Sequence, residues 1–287
     1  MVINKICVVG SGIMGRGIAQ VAAMSGFAVK MQDVSEEILG KSLKTIEDNL
    51  QRGIDRGKVR PEEKRDAFAR ISCVVDLQDA GSDADLVIEA VPEELELKQA
   101  IFRQLDESCR SRTILATNTS SMSITEIGAA TKRQDRTIGL HFFNPVHVMK
   151  LVEIVSGLET SEETYRLCEA CCRQMGKETV KINELPGFVT TRINAMIGNE
   201  AFTMLQEGLG TPEDIDKALK LGLNHPMGPF EMVDLVGLDT RLKIMEYLHK
   251  TLGEKYRPAP LLVKYVKAGR LGRKVGRGVY DYTQKQS

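Results

Sequence analysis

The sequence predicts a doubly wound α/β domain followed by an all-helical domain, and three observations carry that reading. A glycine-rich loop, Gly10-Ser-Gly-Ile-Met-Gly15, stands between a short apolar, β-branched run and a run with helical spacing. Short apolar strands then alternate with helical segments as far as Asn183. From Pro186 onward the apolar spacing is almost wholly helical. The expected boundaries are therefore 1–184 and 185–287.

The elements follow in order. Val2–Gly10 reads as a buried strand, Ile13–Ser25 as a helix and Phe27–Met31 as a second strand ending near Asp33, a β-α-β unit. Residues 35–70 form a helical arm of two charged segments, broken near Gly57 and restarted by Pro61. Further strands are expected at Ile71–Val75, Leu86–Val91, Thr113–Ala116, Thr137–Phe142, Leu151–Val155 and Lys177–Ile182, with helices at Glu93–Cys109 and Glu162–Met175. Ser123 with Glu126 is a capping-box start for a short helix through Ala129. Pro186, at a first helical position, opens a helical series: Gly187–Gly208, Pro212–Leu221, Met232–Leu252 and Ala259–Ala268. The apolar stripe Ile193, Met196, Ile197, Phe202, Met204 and Leu205 needs something to bury it, which points to a homodimer through the helical domain.

Composition narrows the function classes. Lysine plus arginine equals aspartate plus glutamate, 39 of each in 287 residues, so no global field favours nucleic acid or a membrane. Six cysteines show neither metal-ligand spacing nor a paired framework, and no metal is expected. Reduced thiols, a first apolar run that breaks at Gly10 and the lack of a stretch of membrane-spanning length make the expectation a cytoplasmic protein without a signal peptide.

The glycine loop has a chemical meaning in this context. Gly10 permits a tight turn, Gly12 lets the backbone approach a pyrophosphate, and Gly15 lets helix and strand pack closely, the Rossmann-type arrangement. Amides at the helix start, at Ile13 and Met14, then face the anion. Asp33, eighteen residues past Gly15, can accept from the ribose hydroxyls and repels a 2′-phosphate, which favours NAD over NADP. Later strands lead into Pro92-Glu93-Glu94, with Lys98 beyond, and into Thr117-Asn118-Thr119-Ser120-Ser121. Either glutamate could equally be ordinary helix-start charge, and Lys98 a solvated helix residue.

His141 closes one expected strand, and Glu153, twelve residues on, lies in the next. A glutamate accepting from one imidazole nitrogen fixes the tautomer and favours the imidazolium formed when the other nitrogen takes a proton. Alcohol oxidation by NAD needs such a base, because the hydroxyl proton must leave as the hydride departs. Ser120, at a neighbouring strand end, could contact the same oxygen. The competing reading is a structural histidine paired with a buried glutamate. His147, His225 and His249 fit the role less well.

Taken together, the chain resembles the 3-hydroxyacyl-CoA dehydrogenase family, of the stand-alone type that includes short-chain 3-hydroxybutyryl-CoA dehydrogenases. The pieces that carry the resemblance run in order: residues 8–19 (VVGSGIMGRGIA), 118–121 (NTSS), 141–146 (HFFNPV), 149–155 (MKLVEIV), 186–189 (PGFV), 226–234 (PMGPFEMVD) and 269–280 (GRLGRKVGRGVY). The resemblance implies His141 as base, Glu153 as its orienting partner and Ser120 on the substrate oxygen, with Asn144 on the substrate side. It implies NAD contacts at Asp33, Glu93, Lys98 and Asn118, and so chooses Glu93 over Glu94. It implies that CoA lies against the arm 35–70, where Lys41, Lys44, Arg52, Arg56 and Lys58 would supply charge, although a charge run is more often a solvated face. The departure is Thr191, where the family usually has asparagine near the active site. The expected activity is reversible oxidation of an (S)-3-hydroxyacyl-CoA in fatty acid or butanoate metabolism. The alternatives are an NAD-dependent dehydrogenase of a free hydroxy or sugar acid, similar to gulonate dehydrogenase, and a dinucleotide-binding protein without turnover.

Overall fold

The computed structural model describes residues 2–283, and the chain divides into two compact units, Met1–Leu185 and Pro186–Ser287. The first begins with β1 (Lys5–Val9), α1 (Ile13–Met24) and β2 (Ala28–Gln32). The arm follows as α2 (Glu36–Asp55) and α3 (Pro61–Ala69), then β3 (Ile71–Val74), α4 (Leu77–Gly81), β4 (Leu86–Glu89), α5 (Leu95–Ser108) and β5 (Ile114–Thr117). The unit closes with α6 (Ile124–Gly128), β6 (Thr137–Phe142), β7 (Leu151–Ser156), α7 (Glu162–Gln174) and β8 (Glu178–Asn183). The short α4 was not expected; Asp76 caps it by accepting from the Asp79 amide.

All eight strands lie in one sheet, ordered β3-β2-β1-β4-β5-β6-β7-β8. Neighbours are parallel, as β1 with β2 and β4, except that β6 and β7 are antiparallel. Alternate residues of β1 enter separate cores, Ile6 and Val8 on one face and Cys7 and Val9 on the other. Both faces are therefore covered, which is why the strands read as continuous apolar runs. The chain reverses its strand order between β1 and β4, and at such a switch point the carboxyl ends of the strands open a crevice. Five of the cysteines are buried and Cys73 is exposed; burial pushes the Cys171 thiol up to about 12.

Two local details differ from expectation. The capping box of α6 is only half local: Ser123 accepts from the Glu126 amide, but the Thr125 amide donates to Glu184, beyond the end of β8. Along α2 the buried stripe is Leu39, Ser42, Ile46 and Leu50, so one position of an apolar face is a hydroxyl.

The second unit comprises α8 (Thr190–Gln206), α9 (Pro212–Gly222), α10 (Pro229–Val236), α11 (Leu238–Leu252) and α12 (Pro260–Lys267). Pro186 does not start its first helix. Gly187 (φ 76°) and Phe188 (φ 46°) take left-handed backbone, so α8 begins only at Thr190. The single helix expected over 232–252 is two, because Gly237 at φ 103° breaks it. Buried carboxylates organise this unit. Asp216 accepts from the amides of Phe230 and Glu231 and the hydroxyl of Tyr280; Asp234 accepts from the amides of Val279 and Tyr280 and the hydroxyl of Tyr282. A Cβ at Gly278 would lie 1.9 Å from Asp234 Oδ1. Gly278→Ala should therefore cost roughly 3 kcal/mol in urea denaturation. Gly222→Ala, where an added Cβ meets nothing within 4 Å, should be neutral or slightly stabilising.

Candidate active site

The candidate residues of the first unit gather where β1, β2, β4, β5 and β6 end. Directly after β1, the glycine loop is shaped by close approach. Gly10 has φ 88°, and a Cβ at Gly15 would stand 1.7 Å from the Gly10 carbonyl oxygen, so neither tolerates a side chain. Gly12 faces open space, with nothing within 4 Å of an added Cβ. Its amide donates to no acceptor among the described residues, and Ile13 and Met14 follow as the first turn of α1. An open floor with unpartnered amides fits a pyrophosphate.

Asp33, just past β2, braces this loop. Its Oδ2 accepts from the Ser11 amide at 2.7 Å and the Ser11 hydroxyl at 2.8 Å, and its Oδ1 from the Val34 amide at 2.7 Å.

Between β4, β5 and α5 lies a buried ionic network that sequence reasoning saw only in part. Lys98 (1% exposed) places its Nζ 2.8 Å from Oε1 of Glu89 (0% exposed) and 3.2 Å from Oε2 of Glu93. Glu89 also accepts from the Val91 amide and the Thr117 hydroxyl, both at 2.7 Å. Glu93 accepts from the Thr119 hydroxyl and, at 2.9 Å, from the Ser120 amide, so it sets the loop that carries Ser120. Burial would lower the charge on Lys98, but the two carboxylates outweigh it and hold its pKa above the ordinary value. For Glu93, burial works against ionisation, yet Lys98 and the Thr119 and Ser120 donors prevail and hold the carboxyl below its usual range. Glu89 was absent from the sequence-based candidates. The signal for it was a carboxylate closing the wholly buried strand Leu86-Val-Ile-Glu89.

His141 and Glu153 are register partners across the antiparallel β6–β7 pair. The His141 Nδ1 lies 2.8 Å from Glu153 Oε2, with the carboxylate at 0% and the histidine at 7% exposure. The Phe143 ring packs against the imidazole with centroids 4.4 Å apart. Asn118, at the end of β5, accepts from the Phe142 amide at 2.9 Å, so its side chain is tied to the strand that carries His141. Asn144 stands exposed in the following loop, before a cis peptide bond to Pro145. Lys177 holds that loop from beneath, donating to the carbonyls of Val146 and Met149.

Three of the arm's candidate cations are engaged along α2 itself. Lys41 pairs with Glu37, Lys44 with Glu47 and Asp48, and Arg52 donates to Asn49. Thr191, half-buried in the first turn of α8, belongs to the second unit.

Comparison with known proteins decides the family. The family model described as 3-hydroxyacyl-CoA dehydrogenase, NAD binding domain, matches residues 5–185, and that of the 3-hydroxyacyl-CoA dehydrogenase C-terminal domain matches 187–282. The chain belongs to the 3-hydroxyacyl-CoA dehydrogenase family. It is an NAD-dependent dehydrogenase. A probable 3-hydroxybutyryl-CoA dehydrogenase of Bacillus subtilis is 51% identical over 288 residues, covering 100% of both chains. A 3-hydroxybutyryl-CoA dehydrogenase of Bradyrhizobium diazoefficiens is 47% identical, over 98% of this chain and 96% of its own. Among solved structures, the (S)-3-hydroxybutyryl-CoA dehydrogenase of Ralstonia eutropha has a TM-score of 0.94 at 46% identity, covering 98% of this chain and 100% of that one.

The ionic network yields two expectations. Glu89→Ala strands a buried ammonium beside a single partly exposed carboxylate and should cost about 3–5 kcal/mol in urea denaturation, whereas Lys44→Ala on the exposed arm should leave the urea midpoint nearly unchanged. Glu93 has a lowered folded pKa, so its contribution to stability is present above the unfolded value near 4.5 and is lost as pH falls through the lower folded value. Glu93→Gln should therefore flatten the fall in stability between about pH 5 and 3, measured by urea titration at each pH.

Proposed function

We propose that the protein catalyses reversible NAD-linked oxidation of a short-chain (S)-3-hydroxyacyl-CoA, such as 3-hydroxybutyryl-CoA, to the 3-ketoacyl-CoA. The observation that carries this reading is the 2.8 Å contact between His141 Nδ1 and the buried Glu153 carboxylate at the end of β6. The names of the full-length relatives support the substrate class.

When bound, NAD supplies the hydride acceptor. The chain's own residues handle the proton. Glu153, accepting from Nδ1–H, leaves Nε2 of His141 as the basic nitrogen and favours the imidazolium once Nε2 has taken the proton of the substrate hydroxyl. In reduction the same imidazolium returns the proton to the carbonyl oxygen. Ser120, whose amide is held by Glu93, places its hydroxyl on that oxygen, and Asn144 contacts the substrate beside the histidine. Gly10, Gly12, Ile13, Met14 and Gly15 cradle the pyrophosphate, Asp33 the ribose, and Glu93, Lys98 and Asn118 the nicotinamide half. Lys44 and Arg52 face the CoA phosphates, and Thr191 takes a substrate-side place in the helical unit. That unit also pairs two copies, since Val189, Ile193, Leu209, Leu221 and Leu223 are exposed apolar side chains there. The protein works in the cytoplasm.

NADH oxidation with acetoacetyl-CoA, run beside free acetoacetate and beside NADPH, tests the reading. Turnover is expected only with the CoA ester and NADH; turnover of the free acid alone would favour the sugar-acid type of substrate. His141→Ala should lower kcat by about a thousandfold or more, and Glu153→Gln by about a hundredfold, with NADH binding retained in both. Wild-type turnover in His141→Ala would sink the proposed role.

A further inference from the structure

The arm helix reaches the cofactor loop through one buried side chain. Ser42, 3% exposed, lies on the apolar stripe of α2 and donates its hydroxyl to the Ser11 carbonyl oxygen at 2.7 Å. Its Oγ is also 3.1 Å from Ser11 Oγ, but the proton of Ser11 is committed to Asp33 at 2.8 Å. Among the described residues, Ser42 is the only donor to that carbonyl, and Ser11 itself is 0% exposed. In a planar trans peptide the C=O and the following N–H point in opposite directions. Holding the Ser11 carbonyl toward α2 therefore turns the Gly12 N–H away from α2. That amide has no acceptor among the described residues and stands beside the open space at Gly12.

We propose that Ser42 is a positioning residue for the dinucleotide: by fixing the Ser11–Gly12 peptide plane, the arm helix presents the Gly12 amide to the pyrophosphate. The inference rests on reading the glycine loop as the dinucleotide site. Asp33 holds the amide side of Ser11 and Ser42 holds the carbonyl side, so the residue between Gly10 and Gly12 is clamped at both ends. Without the Ser42 hydroxyl, the Ser11 carbonyl is buried with no donor, and rotating the peptide to find one withdraws the Gly12 amide.

The test compares ligands with and without the pyrophosphate. Binding of ADP-ribose is measured by competition with NADH fluorescence, and binding of adenosine by calorimetry, on the whole protein. Ser42→Ala should weaken ADP-ribose about tenfold while leaving adenosine within about twofold of wild type, since one hydrogen bond to the pyrophosphate is misplaced and the adenosine pocket is untouched. Ser42→Thr, which keeps the hydroxyl, should recover most of the ADP-ribose affinity. Unchanged ADP-ribose binding in Ser42→Ala, or an equal loss for both ligands, overturns the proposal. Wild-type protein that binds NADH without competition from ADP-ribose overturns the glycine-loop reading, and the Ser42 proposal with it.

Discussion

In an antiparallel pair, residues directly opposite one another share a face and bring their Cβ atoms within about 5.5 Å. The β6–β7 pair is the sheet's antiparallel ladder, and its register sets His141 against Glu153. A slip of one residue would turn every side chain of β7 to the other face and leave the Glu153 carboxylate in the apolar core. The register is therefore held from several sides. Gly139 sits opposite Val155, where an added Cβ would come within 3.0 Å of the Val155 Cβ. Parallel pairing with β8 fixes the far edge of β7, and Lys177 grips the connecting loop by two carbonyls. The proposed chemistry depends on that ladder before it depends on any single side chain.

The same economy of contacts separates two kinds of buried charge at the strand ends. Glu89 and Lys98 are wholly inside, and their partners are protein groups: each other, Glu93 for the lysine, and the Val91 amide and Thr117 hydroxyl for the glutamate. Removing either partner leaves a charge in low dielectric, a penalty of several kcal/mol. His141 differs in being an imidazole, its Nδ1 held by a fully buried carboxylate. In the proposed chemistry the fixed nitrogen sets the tautomer, which leaves the other as the one that takes and returns a proton. Glu93 stands between the two cases. It is partly exposed, shares Lys98 with Glu89, and holds the amide of Ser120, which makes it the joint between the buried network and the loop that carries Ser120.

The fold was legible because its determinants are local. Val8 to Gly15 encodes strand, turn and helix start in a few residues, and the β6 boundaries agree with the apolar run Thr137–Phe142. The pair His141 and Glu153 could be read because a short connection between adjacent strands makes sequence separation a guide to spatial pairing. What stayed hidden was tertiary. Nothing local distinguishes Glu93 from Glu94; only the folded chain shows Glu93 bonded to Lys98 and Ser120 while Glu94 is the exposed residue at the start of α5. The break at Gly237 was masked by apolar spacing that continues through it, and the left-handed Phe188 by a proline that looked like a helix start. Ser42 was invisible for the opposite reason: one hydroxyl on an apolar stripe reads as noise until its acceptor is known.

Asp33 shows why local charge and loop structure have to be considered together. A carboxylate offers about four acceptor positions, and protein donors from Ser11 and Val34 already take three of them. In the proposed site, little is left for gripping both ribose hydroxyls, so its discrimination against a 2′-phosphate is chiefly electrostatic repulsion. Its geometric work is done on the protein, where it holds the Ser11 amide while Ser42 holds the Ser11 carbonyl. Neutralising Asp33 would then loosen the pyrophosphate loop at the same time as it lifted the repulsion. A change of cofactor preference in this chain accordingly requires a replacement brace for Ser11 as well as the removal of a charge.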